Sequence, residues 1–441
     1  MKYLTKFTTA ADYAQAKDDL YAPNVSLLND SKSINYKSID LPIITVVFDI
    51  TDISEETYIL WSSEPEEVVA GIEIDGIKLQ TLVKTYQFST TGEHIVKYTL
   101  KDRKKIEDYM LYNCADIKSI IIPNCVKEIG EGSFRGCNKA TSVTIPNGVE
   151  IIGYRAFRFW QALTSIKLPN SVTTLKGETF YDCPQLTTVK LSKNLINCSN
   201  YEFYKCNNLS DIENNIVYAD CFAVKVTNKT LSSYTLKEGT KFLEADCFNE
   251  CTNITSIGPK GSNASLELPN NIKHIGYNCF KNCTGLTSVK LPDDAILRSY
   301  CFSGCTGLTS IGPKGSNASL ELPNNLTVIE GNCFDGCTNI TDVVLPNSIT
   351  NVSFYVFNKC ANLVSVTLPE SVEAISFYIF SGCTKLKTII VKSVNPPKLS
   401  GDLFGSTVVE GRKIYVPAES VDAYKTANYW SSYAADIEAI Q

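Results

Sequence analysis

The residues with the most chemistry to offer are the cysteines, seventeen in a chain of 441. Four Cys-Phe-x-x-Cys pairs, Cys247/Cys251, Cys279/Cys283, Cys301/Cys305 and Cys333/Cys337, invite a metal-ligand or disulfide-exchange reading. A zinc site needs converging Cys, His or carboxylate ligands, and the chain holds just two histidines, His94 and His274. An odd cysteine count cannot pair completely, and about 4% Cys is far below the density of a small disulfide scaffold. No Ser/His/Asp set, no Cys with a His partner and no pair of carboxylates in distinct environments stands out. The segment Gly-Pro-Lys-Gly-Ser lacks the spacing of a phosphate-binding loop. The sequence therefore predicts no catalytic, cofactor or metal residues and no enzyme.

What the cysteines do show is phase. Positions 114, 137, 183, 206, 251, 283, 305, 337, 360 and 383 are all Cys three residues after an apolar residue, Phe in all but the first, with Trp160 filling the slot between 137 and 183. The commonest step is 23 residues, and each unit reads C-x-x-L-x-x-V-x-L-P-x-x-V-x-x-I-x-x-x-x-F-x-x-C. A small, polarizable residue in a repeated interior slot is the expected use of such cysteines, and Trp160 in the same slot favours packing over ligation. Two apolar residues at i, i+2 before a proline predict a short strand, because Pro cannot donate to a continuing ladder.

This pattern resembles the BspA-type (Treponema pallidum-type) leucine-rich repeat family of bacterial surface proteins over about residues 105–407, some twelve units. The resemblance implies an α/β-type repeat solenoid with short parallel strands. It also implies adhesion or host-matrix binding through a protein or glycan partner, and an extracellular or cell-surface location. The segment 86–102 is similar to the junction that precedes such repeats in gut-bacterial homologues, and the tail around 415–424 to the family's C-terminal segment.

Candidate binding residues follow from the repeat. The middle residue of V-x-L should stack on successive strands as an outward face: Lys167, Lys190, Glu267, Lys290 and Glu321, with Ile121, Thr144, Val344, Thr367 and Ile390 in the same row. Glu267, Lys290 and Glu321 alternate in sign, as cross-strand pairing would have them, whereas Lys167 and Lys190 are like-charged neighbours and the better binding candidates. Of the aromatics before the repeat Phe, Tyr355 and Tyr378 are the candidates for exposure, and the rest should pack between units. Steps of 32 residues contain an identical sixteen-residue stretch at 256–271 and 310–325, which predicts two similar loops projecting from one rim. The 45-residue step from Cys206 to Cys251 predicts an inserted hairpin of Ile216–Tyr218 and Phe222–Val226.

Outside the repeats, residues 39–104 read as strands, apolar and β-branched over 43–50 and alternating at Ile72, Ile74, Ile77 and Leu79 about Asp75-Gly76, a strong hairpin signal, and predict a small β-sandwich, immunoglobulin-like. Residues 1–38 form a leader or docking segment, and 408–441 a C-terminal cap with an amphipathic stretch Val421, Tyr424 and Ala427, followed by Trp430, Tyr433 and Ile437. The net charge of −6 lies in residues 1–101, and nothing resembles the basic stripe of a nucleic-acid binder. No run of eighteen apolar residues predicts a membrane span, and the first residues show no secretion-signal pattern. The leading expectation is a non-enzymatic recognition protein. The alternative is a phage or mobile-element appendage, virion-associated and docked through residues 21–36, which resemble a short module of such proteins. A glycan-active enzyme is a distant third.

Overall fold

A computed structural model describes residues 41–62, 64–258, 266–293, 296–316 and 318–441. The leader 1–38 and the first duplicated loop, 259–265, thus lie outside the described residues. The chain forms two compact units, one up to Cys198 with Lys205–Asn208, the other Ser199–Tyr204 with Leu209–Gln441.

In the first unit the V-x-L residues become strands Ile117–Ile121, Ser142–Thr144, Ser165–Lys167 and Thr188–Lys190. The first two pair in parallel with each other, as do the last two. Two-residue strands at Lys105–Ile106, Glu128–Ile129, Ile151–Ile152 and Thr174–Leu175 make a second parallel sheet. The repeat phenylalanines Phe134, Phe157 and Phe180 stack nearly parallel, 5.6 and 5.5 Å apart. Each is fully buried, a contribution of about 1.5–3 kcal/mol per ring.

Among the described residues the repeats contain no helix, which corrects the α/β expectation to a β-solenoid. The reason lies in the turn around each Phe. Residues two before and two after it are left-handed, Arg155 (φ 60°) and Phe159 (φ 68°) in one unit, Glu178 (φ 49°) and Asp182 (φ 57°) in the next. Left-handed residues at that spacing break a right-handed helix. The turn N–H groups donate to the next repeat instead: Phe134 N to Ala156 O at 3.1 Å, Phe157 N to Thr179 O at 3.0 Å. Neighbouring coils sit so close that a Cβ on Gly153 would lie 2.5 Å from the carbonyl carbon of Gly130.

The N-terminal strands form where the apolar run and the alternation placed them, Ile43–Ile50, Val69–Ile74, Ile77–Lys78 and Gly92–Leu100, with the hairpin turn at Asp75 (φ 49°) and Gly76 (φ 86°). They make one antiparallel sheet whose strand Ile43–Ile50 also pairs with Ile117–Ile121. The expected sandwich is therefore not what these strands build. They extend the solenoid's own sheet and cover the edge that its first strand would expose. Among the described residues the segment's other sheet is just Thr57–Tyr58 with Thr85–Tyr86.

The second unit has one continuous core from Ile216 to Ile437. Phe248, Phe280, Phe302, Phe334, Phe357, Phe380 and Phe404 stack at 5.3 to 6.0 Å, the column of the repeat. The inserted hairpin appears as Ile216–Ala219 and Phe222–Val226, antiparallel. The 32-residue step between Cys305 and Cys337 contributes two strands to the nine-stranded sheet, Ser310–Pro313 and Leu320–Leu322, paired in parallel. The insert thus adds a short coil of its own rather than a freely projecting loop. At the C-terminus, Lys413–Val416 and Ile437–Ala439 continue the sheet, while the helix Val421–Thr426 and the turn Trp430–Tyr433 bury Tyr424 and Trp430.

Candidate recognition surfaces

The strand-face row is assembled largely as the repeat phase implied. Lys167 and Lys190 are direct partners on adjacent parallel strands, both exposed, and no ion pair among the described residues involves either. Glu267 faces Lys290, and Lys290 faces Glu321. The Glu267 side chain lies outside the described ones. Glu321 is the exception to the expected exposure: it is 8% exposed, and its carboxylate accepts the Gly315 N–H at 3.1 Å. The extra coil folds over it, and Gly312, paired with Glu321, interrupts the row.

The turn rim presents a second surface. Its left-handed slot two residues before the Phe is held by Gly132, Asn278, Asn332 and Asp246, residue types that tolerate that backbone, but also by Tyr109, Tyr201, Tyr300, Tyr355 and Tyr378. A tyrosine there costs about 1 kcal/mol relative to glycine. Tyr378 and its neighbour Phe377 are exposed, as is Phe354, and Tyr355 is half-buried between them. Phe354 stacks on Phe377 at 5.8 Å, Tyr355 meets Tyr378 at 5.6 Å, and Phe354 lies over Gly331, where a Cβ would strike its ring. The repeat brings these four rings together from two consecutive SFY segments. By contrast, Tyr154 donates to Glu178 at 2.6 Å, and Tyr277 stacks on Tyr201.

In the first unit Glu178 is gripped by Arg155 (2.9 Å), Arg158 and Tyr154. Burial pushes its carboxyl up, but the hydrogen bonds from Arg155 and Tyr154 and the charge of Arg158 outweigh burial and hold it below the usual value. His94 binds Asp75 at 2.7 Å and the Thr90 carbonyl at 2.9 Å, a structural hairpin clasp. In the second unit an open polar cleft of about 660 Å³ is lined by residues including Glu213, Asn214, Lys237 and Asn271. It sits beside the inserted hairpin, where repeat reasoning has nothing to say.

The cysteine slot proves more specific than packing. All seventeen cysteines are unbridged. Sγ of Cys305 lies 3.0 Å from Phe280 O, that of Cys337 3.1 Å from Phe302 O, and that of Cys383 3.1 Å from Phe357 O. Cys183, Cys206, Cys283 and Cys360 do the same with the Phe of their preceding unit. Trp160 performs the identical task through Nε1 to Phe134 O at 2.7 Å. The slot therefore takes a side-chain donor, which the Trp-for-Cys exchange could have suggested. Burial pushes the Cys337 and Cys383 thiols up to about 12, against reactive or ligating use. The first Cys of each Cys-Phe-x-x-Cys pair occupies a position that Ala156, Val356 and Ile379 fill elsewhere, an apolar site. Among the described residues no group of three or more His, Cys, Asp or Glu is placed to hold a metal ion, and no helix is long and apolar enough to cross a membrane.

Three comparisons bear on this geometry. The family described as BspA type leucine rich repeat region (6 copies) matches residues 104–223, 215–319 and 314–427. Similar solved structures include a leucine rich repeat protein of T. pallidum (23% identity, 47% of this chain and 90% of that one, TM-score 0.35). A leucine-rich repeat protein from Bacteroides ovatus has 20% identity over 88% of this chain and 99% of that one, TM-score 0.34. A leucine rich cell surface protein from Faecalibacterium prausnitzii has 21% identity over 67% and 84%, TM-score 0.30. No curated protein matches the chain.

Proposed function

Because the chain belongs to the BspA type leucine rich repeat family, we propose that it is a non-enzymatic recognition protein of the cell surface, an adhesin whose solenoid binds a protein or glycan partner. The observation that carries this reading is the aromatic cluster Phe354, Tyr355, Phe377 and Tyr378. Two of its members occupy left-handed turn positions where glycine or asparagine would serve the backbone better. Residues kept there against backbone preference, with rings partly in solvent, fit a contact surface: aromatic side chains with polar tips dominate binding hot spots. Neither Tyr hydroxyl has a hydrogen-bond partner among the described residues, which leaves both available to a ligand. Lys167 and Lys190 add a positive pair on the strand face.

The test uses the full chain against panels of matrix proteins and glycans at micromolar concentration, beside the double variant Tyr355→Asn/Tyr378→Asn. Asparagine accepts the left-handed backbone, so the variant should melt within a few degrees of the parent while losing binding about tenfold or more. Binding that survives both substitutions, or no binding to any panel member, sinks the reading.

A further inference from the structure

A second cluster, in the first unit, joins Tyr58 and Trp61, which precede the repeats, to turn residues of the first coils. The rings of Tyr58, Trp61 and Tyr112 follow one another at 5.6 and 5.0 Å, and Tyr109 joins Tyr112 at 5.9 Å. Tyr58, Trp61 and Tyr109 are exposed, Trp61 by 41%. Arg135 continues the series: its guanidinium carbon lies 5.3 Å from the Tyr112 ring and 5.4 Å from the Phe159 ring.

Arg135 differs from four other arginines of the chain in lacking an ion pair. Arg155 and Arg158 share Glu178, Arg298 has Glu330 at 2.8 Å, and Arg412 has Asp436 at 3.6 Å. Arg135 has no carboxylate and no side-chain hydrogen bond among the described residues; its Nε is buried without a partner, as are those of Arg158, Arg298 and Arg412, so the missing carboxylate is what sets it apart. The acids near it are engaged elsewhere. Glu131 accepts the Tyr109 hydroxyl, and Asp108 accepts the Glu131 N–H at 3.0 Å and meets Lys105 at 3.3 Å. A guanidinium held by two aromatic faces keeps its planar fork oriented, and it lacks the anion that such a fork matches.

We propose that the Tyr58–Trp61–Tyr112–Arg135 cluster is a docking site for an acidic segment of a protein partner, whose carboxylate pairs with Arg135 while an adjoining apolar side chain rests against Trp61. The proposal rests on the recognition reading above but names a different surface. The ring geometry selects a peptide over a glycan. Trp61 meets Tyr112 at 65°, Tyr58 meets Trp61 at 49°, and Tyr109 meets Tyr112 at 79°. Rings so tilted form a bowl for one compact side chain, not the flat succession of faces on which consecutive sugar rings lie. Trp, Tyr and Arg are also the residue types enriched at protein–protein hot spots.

Trp61 is exposed while Trp160 and Trp430 are buried, so acrylamide quenching of the full chain's fluorescence reports on this site. The probes are an array of tetrapeptides, each pairing one Asp or Glu with one apolar residue, their Asn or Gln counterparts, and an oligogalacturonate as the acidic glycan. Acidic peptides should shield Trp61 and bind about tenfold or more tightly than their amide counterparts. Arg135→Gln should erase that difference with an unchanged melting temperature. Should Arg135→Gln fail to fold, Arg135→Lys, which keeps the charge without the planar fork, should weaken acidic peptides about threefold to tenfold. Equal binding of acidic and amide peptides, shielding by oligogalacturonate alone, or a Trp61 already shielded in the free chain overturns the proposal. Loss at Arg135 with intact dependence on Tyr355 and Tyr378, or the reverse, separates this inference from the adhesin reading.

Discussion

Replacing Cys305 separates two accounts of the cysteine slot. Its Sγ lies 3.0 Å from Phe280 O, which already accepts the Cys283 N–H at 3.2 Å, so the thiol serves the carbonyl's second lone pair. Cys305→Ala removes one buried heavy atom, about 0.8 kcal/mol of transfer free energy if sulfur is counted as a methylene. The cavity left behind, roughly 30 Å³ at 24 cal/mol per Å³, adds about 0.7 kcal/mol. The weak thiol hydrogen bond adds roughly 0.5 kcal/mol. The sum is about 2 kcal/mol, or roughly 4–8 °C in melting temperature for a unit of this size. Cys305→Ser keeps a donor, and a stronger one, at the same carbonyl, which offsets the desolvation of its hydroxyl, so it should cost less than about 1 kcal/mol. Urea titration followed by far-UV circular dichroism measures both. Amide exchange at Phe302–Cys305 supplies a local reading, because a repeat array need not unfold as one unit. If serine destabilises as much as alanine or more, the slot is apolar packing and the donor argument fails.

Native protein at pH 8 should show fast reaction with a thiol reagent at no more than Cys125 and Cys221, the two half-buried cysteines, and seventeen thiols once unfolded; a lower unfolded count means disulfides and contradicts the unbridged cysteine slot. Burial pushes Glu244 up to about 7, against the N–H groups of Ala245, Phe203, Tyr201 and Glu202 that hold it down. A raised carboxyl favours the folded state when protonated, so its contribution is complete below 4.5, its ordinary value, and is lost as pH rises toward 7. Glu244→Gln should remove on the order of 3 kcal/mol of that pH dependence, and parallel melting-temperature profiles of the two proteins from pH 4 to 8 would refute the assignment. Gly153→Ala should cost about 1–3 kcal/mol or more in urea titration because its Cβ meets the Gly130 backbone, whereas Gly71→Ala, with open space around it, should lie within roughly 0.5 kcal/mol of the parent.

Much of this architecture is legible in the chain because a repeat converts sequence period into spatial neighbourhood. Phe357 stacks on Phe334 and Phe380 since each lies one step away, and Lys167 meets Lys190 for the same reason. The hairpins at Asp75-Gly76 and at 216–226 are equally local. The turn was less legible: F-x-x-C spacing is compatible with a helical return, and the left-handed residues that forbid one are Arg, Tyr, Glu and Lys as often as Gly or Asn. Glu321 looked like any other outward member of the strand-face row, yet a strand added by its own insert buries it.

By itself, then, the sequence determined the coil, its core and the interior place of the cysteines, because these depend on contacts one period apart. Tertiary structure alone decided how the non-repeating parts meet the coil: Ile43–Ile50 pairing with Ile117–Ile121, and Trp61 reaching Tyr112. Those contacts join segments of unlike pattern across long stretches of chain, where no periodicity ties one position to another and packing of the whole fold selects the neighbour.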